Sequence, residues 1–198
     1  MTSQALTPLV EFKEEDHTYF HDGKRVPSVT EILKGCGFIV GMEFVDDYSV
    51  WKGQALHRAI ELHNKGTLDE STIPPIVMPG FQAFLEFEKA TGFIVDGFEQ
   101  RVFRPELWFA GTLDLAGHFP DGKKGIGDVK GGIVKPWTKY QVALYAVGAG
   151  DSYCRRFAIG LAGGKPKIHE FKDINDITVA LGAVAVHNAK MNMGISAR

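Results

Sequence analysis

The chain has 198 residues, of which 44% are hydrophobic and 23% charged, and carries a net charge of −2. That length fits one soluble domain with its own core, since about 150–200 residues bury roughly 70% of their unfolded surface. The near-neutral total argues against a protein that coats nucleic acid by bulk positive charge, and no apolar run approaches the ~20 residues that span a bilayer.

Met1 to Val10 has neither the basic nor the apolar region of a signal peptide, which predicts a cytoplasmic protein. Residues 10–21 read as a strand, Asp22-Gly23 as a turn, and a second short strand runs to Pro27. Ser28 and Glu31 have capping-box spacing, opening a helix that ends near Gly35 or Gly37. A second helix is predicted from about Glu43 to Asn64, where Val50, Leu56, Ile60 and Leu62 recur at helical spacing. Pro74, Pro75 and Pro79 mark 66–80 as a loop, and Phe81, Phe84, Leu85 and Phe87 predict a helix ending at Gly92. Residues 93–103, 107–119 and 124–131 then read as three strands joined by short turns, an antiparallel meander. A helix over 138–149, strands over 154–162 and 166–172, and a helix from about Ile174 to Met193 complete an α/β layer arrangement around one mixed sheet. Cys36 and Cys154 share no metal-binding spacing and read as reduced thiols, so no iron–sulfur cluster is expected.

The chemistry concentrates in Gly111-Thr-Leu-Asp114-Leu and Ile126-Gly-Asp128-Val-Lys130. Asp and Lys are depleted from strands and costly to bury unpaired. Asp128 and Lys130 are two apart and share a strand face, and pairing through the turn at Pro120–Gly122 brings Asp114 near the register of Asp128. Two carboxylates and an ammonium at one point suit a hard cation such as Mg²⁺ or Mn²⁺, with the lysine beside it to stabilise charge. A buried Asp–Lys ion pair that closes a sheet accounts for Asp128 and Lys130 taken alone equally well. Two flanking helices add to the pattern. Gly53, His57 and Glu61 are four apart on one, and Gln141 and Tyr145 are four apart on the other.

In this order, GxxxHxxxE, GTLD, DVK and QxxxY over roughly residues 17–147 resemble the PD-(D/E)XK nuclease superfamily, in its RecB-type and phage-exonuclease branch. The resemblance implies a restriction-endonuclease-like core: one domain over 1–198, with a hairpin-and-helix lead-in at 1–40 and the nuclease core over 41–198. It implies metal binding by His57, Asp114, Asp128 and the Val129 carbonyl, with Lys130 as the catalytic lysine and Gln141 and Tyr145 lining the site. Glu99 and Glu61 are expected behind these ligands. Two departures stand out: Leu113 replaces the proline often found before the first acid, and the second acid is the shorter Asp128. Lys135, Trp137 and Lys139 bracket the site in sequence and are the expected DNA contacts.

The expected activity is Mg²⁺- or Mn²⁺-dependent hydrolysis of DNA by an exonuclease of phage-type recombination, replication or repair, acting in the cytoplasm, that of the bacterial host if the chain is phage-encoded. A recombination or single-strand-binding protein is an expected partner. An endonuclease of restriction or junction-resolving type, or a non-catalytic DNA-binding subunit of the same fold, are the other readings.

Overall fold

Asp22 and Gly23 both adopt left-handed backbone (φ 50° and 71°), which matches the twist of a two-residue hairpin. They join β2 (Thr18–His21) to β3 (Lys24–Val26), and β1 (Glu11–Lys13) pairs antiparallel with β2 to complete a three-stranded sheet. The expected single strand over 10–21 is therefore two. Four residues containing the acidic run Glu14-Glu15-Asp16 turn the chain back through His17, whose φ is 54°. The computed structural model describes residues 10–40 and 46–195. The reading of residues 1–9 and the predicted helix start at Glu43 lie outside them.

Ser28 caps α1 (Val29–Gly35) by accepting the Glu31 amide over 3.0 Å, while the Glu31 carboxylate turns to Arg25 at 3.2 Å. Asp46 caps α2 (Asp47–Asn64) by accepting the Ser49 amide over 2.8 Å. Pro79 lies in the first turn of α3 (Met78–Thr91), where its missing N–H costs nothing, and Gly92 ends that helix at φ 62°.

The five-stranded sheet runs β4 (Ile94–Arg104), β5 (Phe109–His118), β6 (Lys124–Lys130), β7 (Arg155–Gly160) and β8 (Lys167–Phe171) in spatial order. β4, β5 and β6 form the predicted antiparallel meander. β7 lies parallel to β6, so the chain must cross over between them, and α4 (Thr138–Gly148) makes that crossing. β8 returns antiparallel to β7, and α5 (Asn175–Asn192) follows. The fold is thus mixed α/β, a three-stranded antiparallel sheet and a five-stranded mixed sheet flanked by helices.

Two apolar cores divide across the large sheet. Ile126 joins α1, α4 and α5 in one, whereas Val129, three residues on and on the other strand face, joins α2 and α3 in the second. Leu144 and Phe84 are fully buried representatives, and each such side chain stabilises the fold by about 1.5–3 kcal/mol. Among the described residues both cysteines are free, and no helix is long and apolar enough to cross a membrane.

Candidate active site

The strand alternation that divides the cores also aims the polar groups. Asp128 and Lys130 share the face of Ile126 and point toward α4. Lys130 Nζ lies 3.0 Å from Asp128 Oδ1 and 2.9 Å from Oδ2, and donates to Gln141 Oε1 over 3.2 Å. Because the lysine can only donate, Gln141 must offer it oxygen, which leaves Gln141 Nε2 to donate to the Tyr145 hydroxyl over 3.0 Å. Gly111 makes room for this row, since a Cβ there would stand 2.8 Å from the Tyr145 ring. Burial raises the Tyr145 phenol well above its ordinary range, so it stays neutral.

The second half of the site lies where β5 and β6 separate. Leu115 and Gly127 are the last registered pair; beyond them the Val129 amide donates to Asp114 Oδ2 over 2.6 Å. His57, on α2, reaches the carbonyl of the same residue. Its Nε2 lies 3.1 Å from the Val129 carbonyl and 3.9 Å from Asp114 Oδ2, and its Nδ1 lies 2.9 Å from Glu99 Oε1. With a carboxyl oxygen on one side and a carbonyl on the other, both ring nitrogens are placed to donate, the pattern that suits an imidazolium. Burial works against that charge, but Asp114, Glu99 and Asp128 outweigh it and lift His57 to about 9.

Glu99 takes part through an unusual backbone. Phe98 pairs with Leu115 and Gln100 with Leu113, so Glu99 lies opposite Asp114 at φ 51°. Left-handed backbone at a non-glycine strand residue costs on the order of 1 kcal/mol, and such strain clusters at functional sites.

The arrangement suits a divalent cation. One ligand atom from each of His57, Glu99 and Asp114 lies within 4.8 Å of the others. Asp114 and Asp128 are 8% and 1% exposed, and burial pushes both carboxyls up, Asp128 to about 6 even against the pull of Lys130. Asp128 Oδ2 is buried without an aligned hydrogen bond despite the nearby ammonium. Buried anions with spare oxygen lone pairs are what a hard cation satisfies. Glu99, expected behind the ligands, contributes a carboxylate oxygen to that cluster, whereas Asp128 is paired with Lys130.

The other predicted residues are placed less centrally. Glu61 is tied to Arg58 on its own helix (2.7 Å) and to Lys65 at that helix's C-cap (2.6 Å) rather than to His57. Lys139 is paired with Asp176 at 3.1 Å, and Trp137 lies under Lys130, whose Nζ is 5.6 Å from the ring centroid. Lys135 is exposed. A cleft of about 1690 Å³ opens from Asp114 and His57 between α2 on one side and α1 with the three-stranded sheet on the other. Lys135, Trp137 and Lys139 are not part of its wall, but Arg101 is, a residue the sequence reading passed over. Arg101 is two residues from Glu99 and rests over the Phe12 ring at 5.2 Å. Its sequence signal was weak, since one arginine in a strand commonly marks only a solvated face.

No protein-family model matches the chain, and no curated protein does. Solved structures do. A candidate exonuclease from Eubacterium rectale superposes with a TM-score of 0.56 and 13% identity, over 86% of this chain and 82% of that one. An alkaline exonuclease from Laribacter hongkongensis, in its complex with dAMP, reaches a TM-score of 0.42 and 14% identity over 86% and 89%. The first likeness establishes a shared fold.

Proposed function

We propose that this protein is a divalent-metal-dependent DNA nuclease, with its reaction centre at Asp114, Asp128 and Lys130. The observation that carries the reading is convergence: His57, Glu99 and Asp114 gather ligand atoms within 4.8 Å beside the Lys130–Asp128 pair. A sheet-closing ion pair needs only Asp128 and Lys130. It gives no reason for a histidine and two further carboxylates, one on strained backbone, to meet at the adjoining peptide.

Asp114, Asp128, His57, Glu99 and the Val129 carbonyl would hold the cation. When bound, Mg²⁺ or Mn²⁺ supplies Lewis-acid polarisation of a phosphoryl oxygen and acidifies water. Lys130 holds a proton close to the carboxylates and stabilises negative charge that develops on the phosphate. Gln141 fixes the position of the ammonium, and Tyr145 fixes the Gln141 amide. The cleft beside Asp114 admits the substrate.

Exonuclease action, in phage-type recombination, replication or repair, is the finer reading. It is supported by the motif resemblance and agrees with the name given to the Eubacterium rectale neighbour. The test is digestion of end-labelled linear DNA and of covalently closed circular DNA, each with Mg²⁺ and with Mn²⁺. Metal-dependent loss of the linear substrate with the circle intact is expected. Cleavage of the circle makes the protein an endonuclease, and no cleavage of either overturns the reading.

A further inference from the structure

Aromatic residues are mostly covered in this fold. Among the described phenylalanines, tyrosines and tryptophans only Tyr48, Trp51 and Tyr153 are exposed. Two of these three stand together on α2, the helix that carries His57. Tyr48 is 58% exposed and Trp51 44%, with ring centroids 5.7 Å apart and planes inclined by 31°. Gln54 and Arg58 follow Trp51 at three and seven residues, a spacing that sets the three side chains along one side of the helix. Gln54 and Arg58 both line the cleft that leads to Asp114. Trp51 precedes His57 by six residues, about 9 Å along a helix axis at 1.5 Å per residue.

We propose that Tyr48 and Trp51, which stand outside the cleft wall and about two turns of α2 from His57, form a stacking platform for the bases of a single strand whose backbone enters the cleft past Gln54 and Arg58. This rests on the nuclease reading and adds the substrate class. The occupant follows from continuity with the cleft and from the chemistry of the rings. An aromatic face stacks on any base, so it suits a nuclease without sequence preference. Bases within a duplex are already stacked, so the platform engages a single strand or a frayed end. Trp137, the aromatic that sequence spacing favours for this role, has its ring faced by Lys130. Within the cleft, Arg101 exposes a guanidinium for the backbone of the same strand.

The experiment measures binding of a labelled 12-nucleotide single strand, and of the same backbone with abasic sites, by fluorescence anisotropy in EDTA. Wild type, Trp51→Ala, Trp51→Phe and Tyr48→Ala are compared, and cleavage with Mn²⁺ is assayed in parallel. Trp51→Ala is expected to weaken binding of the natural strand at least fivefold and Tyr48→Ala to weaken it measurably. Trp51→Phe keeps a ring and should retain most of the affinity, and the abasic strand should bind all four proteins equally. Equal binding of the natural strand by all four, with cleavage intact, overturns the platform and leaves the nuclease reading standing. A loss of equal size on both strands also overturns the platform, because it then acts on the backbone. Unchanged binding with an altered oligomeric mass by light scattering assigns the rings to a protein contact and overturns it too. Base-dependent binding lost in Trp51→Ala, with no cleavage by wild type under any metal, keeps the platform and overturns the nuclease reading.

Discussion

The Val129 amide donates to Asp114 Oδ2 over 2.6 Å, across the point where β5 and β6 part. One carboxylate therefore closes the sheet and faces the proposed cation site, so the two roles separate only with the right substitution. Asp114→Ala leaves the Val129 N–H buried and unpaired, which costs about 1–3 kcal/mol, and should lower Tm as well as remove cleavage. Asp114→Asn keeps an acceptor of the same shape and should hold Tm near wild type while cleavage falls to background. Circular dichroism melts and a Mn²⁺ digestion of both variants check this; an active Asn variant excludes Asp114 as a ligand.

Lys130→Met should remove cleavage and also reveal the Asp128 charge. Without the ammonium, Asp128 is a buried carboxylate that has lost its direct ion-pair partner, and breaking such a pair costs about 3 kcal/mol, the low end because the Lys130 side chain is 27% exposed. Burial already raises Asp128 to about 6 in the folded chain against 3.8 ordinarily. A raised carboxyl contributes stability that is present below 3.8 and is lost as pH rises through about 6. Removing Lys130 raises it further, so urea titrations should show a small deficit for Lys130→Met at pH 5 and the full deficit at pH 8. A deficit independent of pH would mean that Lys130 matters for packing alone.

Tyr145→Phe tests the row Lys130–Gln141–Tyr145. It deletes the oxygen that accepts from Gln141 Nε2 and leaves the ring in place. One net hydrogen bond is worth about 0.5–1.5 kcal/mol, so kcat should fall roughly two- to tenfold with KM little changed. Gly111→Ala should act through the same ring by steric pressure, since its Cβ would lie 2.8 Å from Tyr145. Steady-state kinetics of the two variants, with a melt of each, separate the lost bond from displacement of the ring.

Metal binding should release a proton from His57. In the metal-free chain its carboxylate neighbours hold His57 at about 9, against the opposing effect of burial. A raised histidine contributes stability that is fully present below 6.5 and is lost as pH rises through about 9. A metal ligand must be a neutral imidazole, so cation and proton compete for the ring. The rise in Tm on adding Mn²⁺ should therefore be small at pH 6 and larger at pH 8.5, and His57→Ala should flatten that trend. A shift of the same size at both pH values in wild type argues against His57 as a ligand.

Much of this architecture is written locally. The two left-handed residues at Asp22-Gly23, the Ser28 cap, the phenylalanine spacing of α3 and its stop at Gly92 each follow from a few neighbouring residues. For the same reason the meander and the shared face of Asp128 and Lys130 could be read in advance, since strand alternation needs no tertiary information. Residues 10–21 form two strands rather than the expected one, because the alternation at Thr18–His21 carries no mark of the turn that His17 makes at φ 54°.

What the sequence by itself determined was the elements, their order and the residue types available for chemistry. Tertiary structure decided which of them meet. Glu99 joins His57 because one strand residue adopts φ 51° opposite Asp114, a backbone choice that no spacing encodes. Lys139 is taken by Asp176 and Trp137 by Lys130, partners supplied respectively by α5 and by β6. The cleft lies toward α1, α2 and the three-stranded sheet because Asp114 and His57 open on that side. Propensity and periodicity act over a few residues, whereas a site is assembled by long-range register and packing, and so its membership is settled only when the sheet and helices close around it.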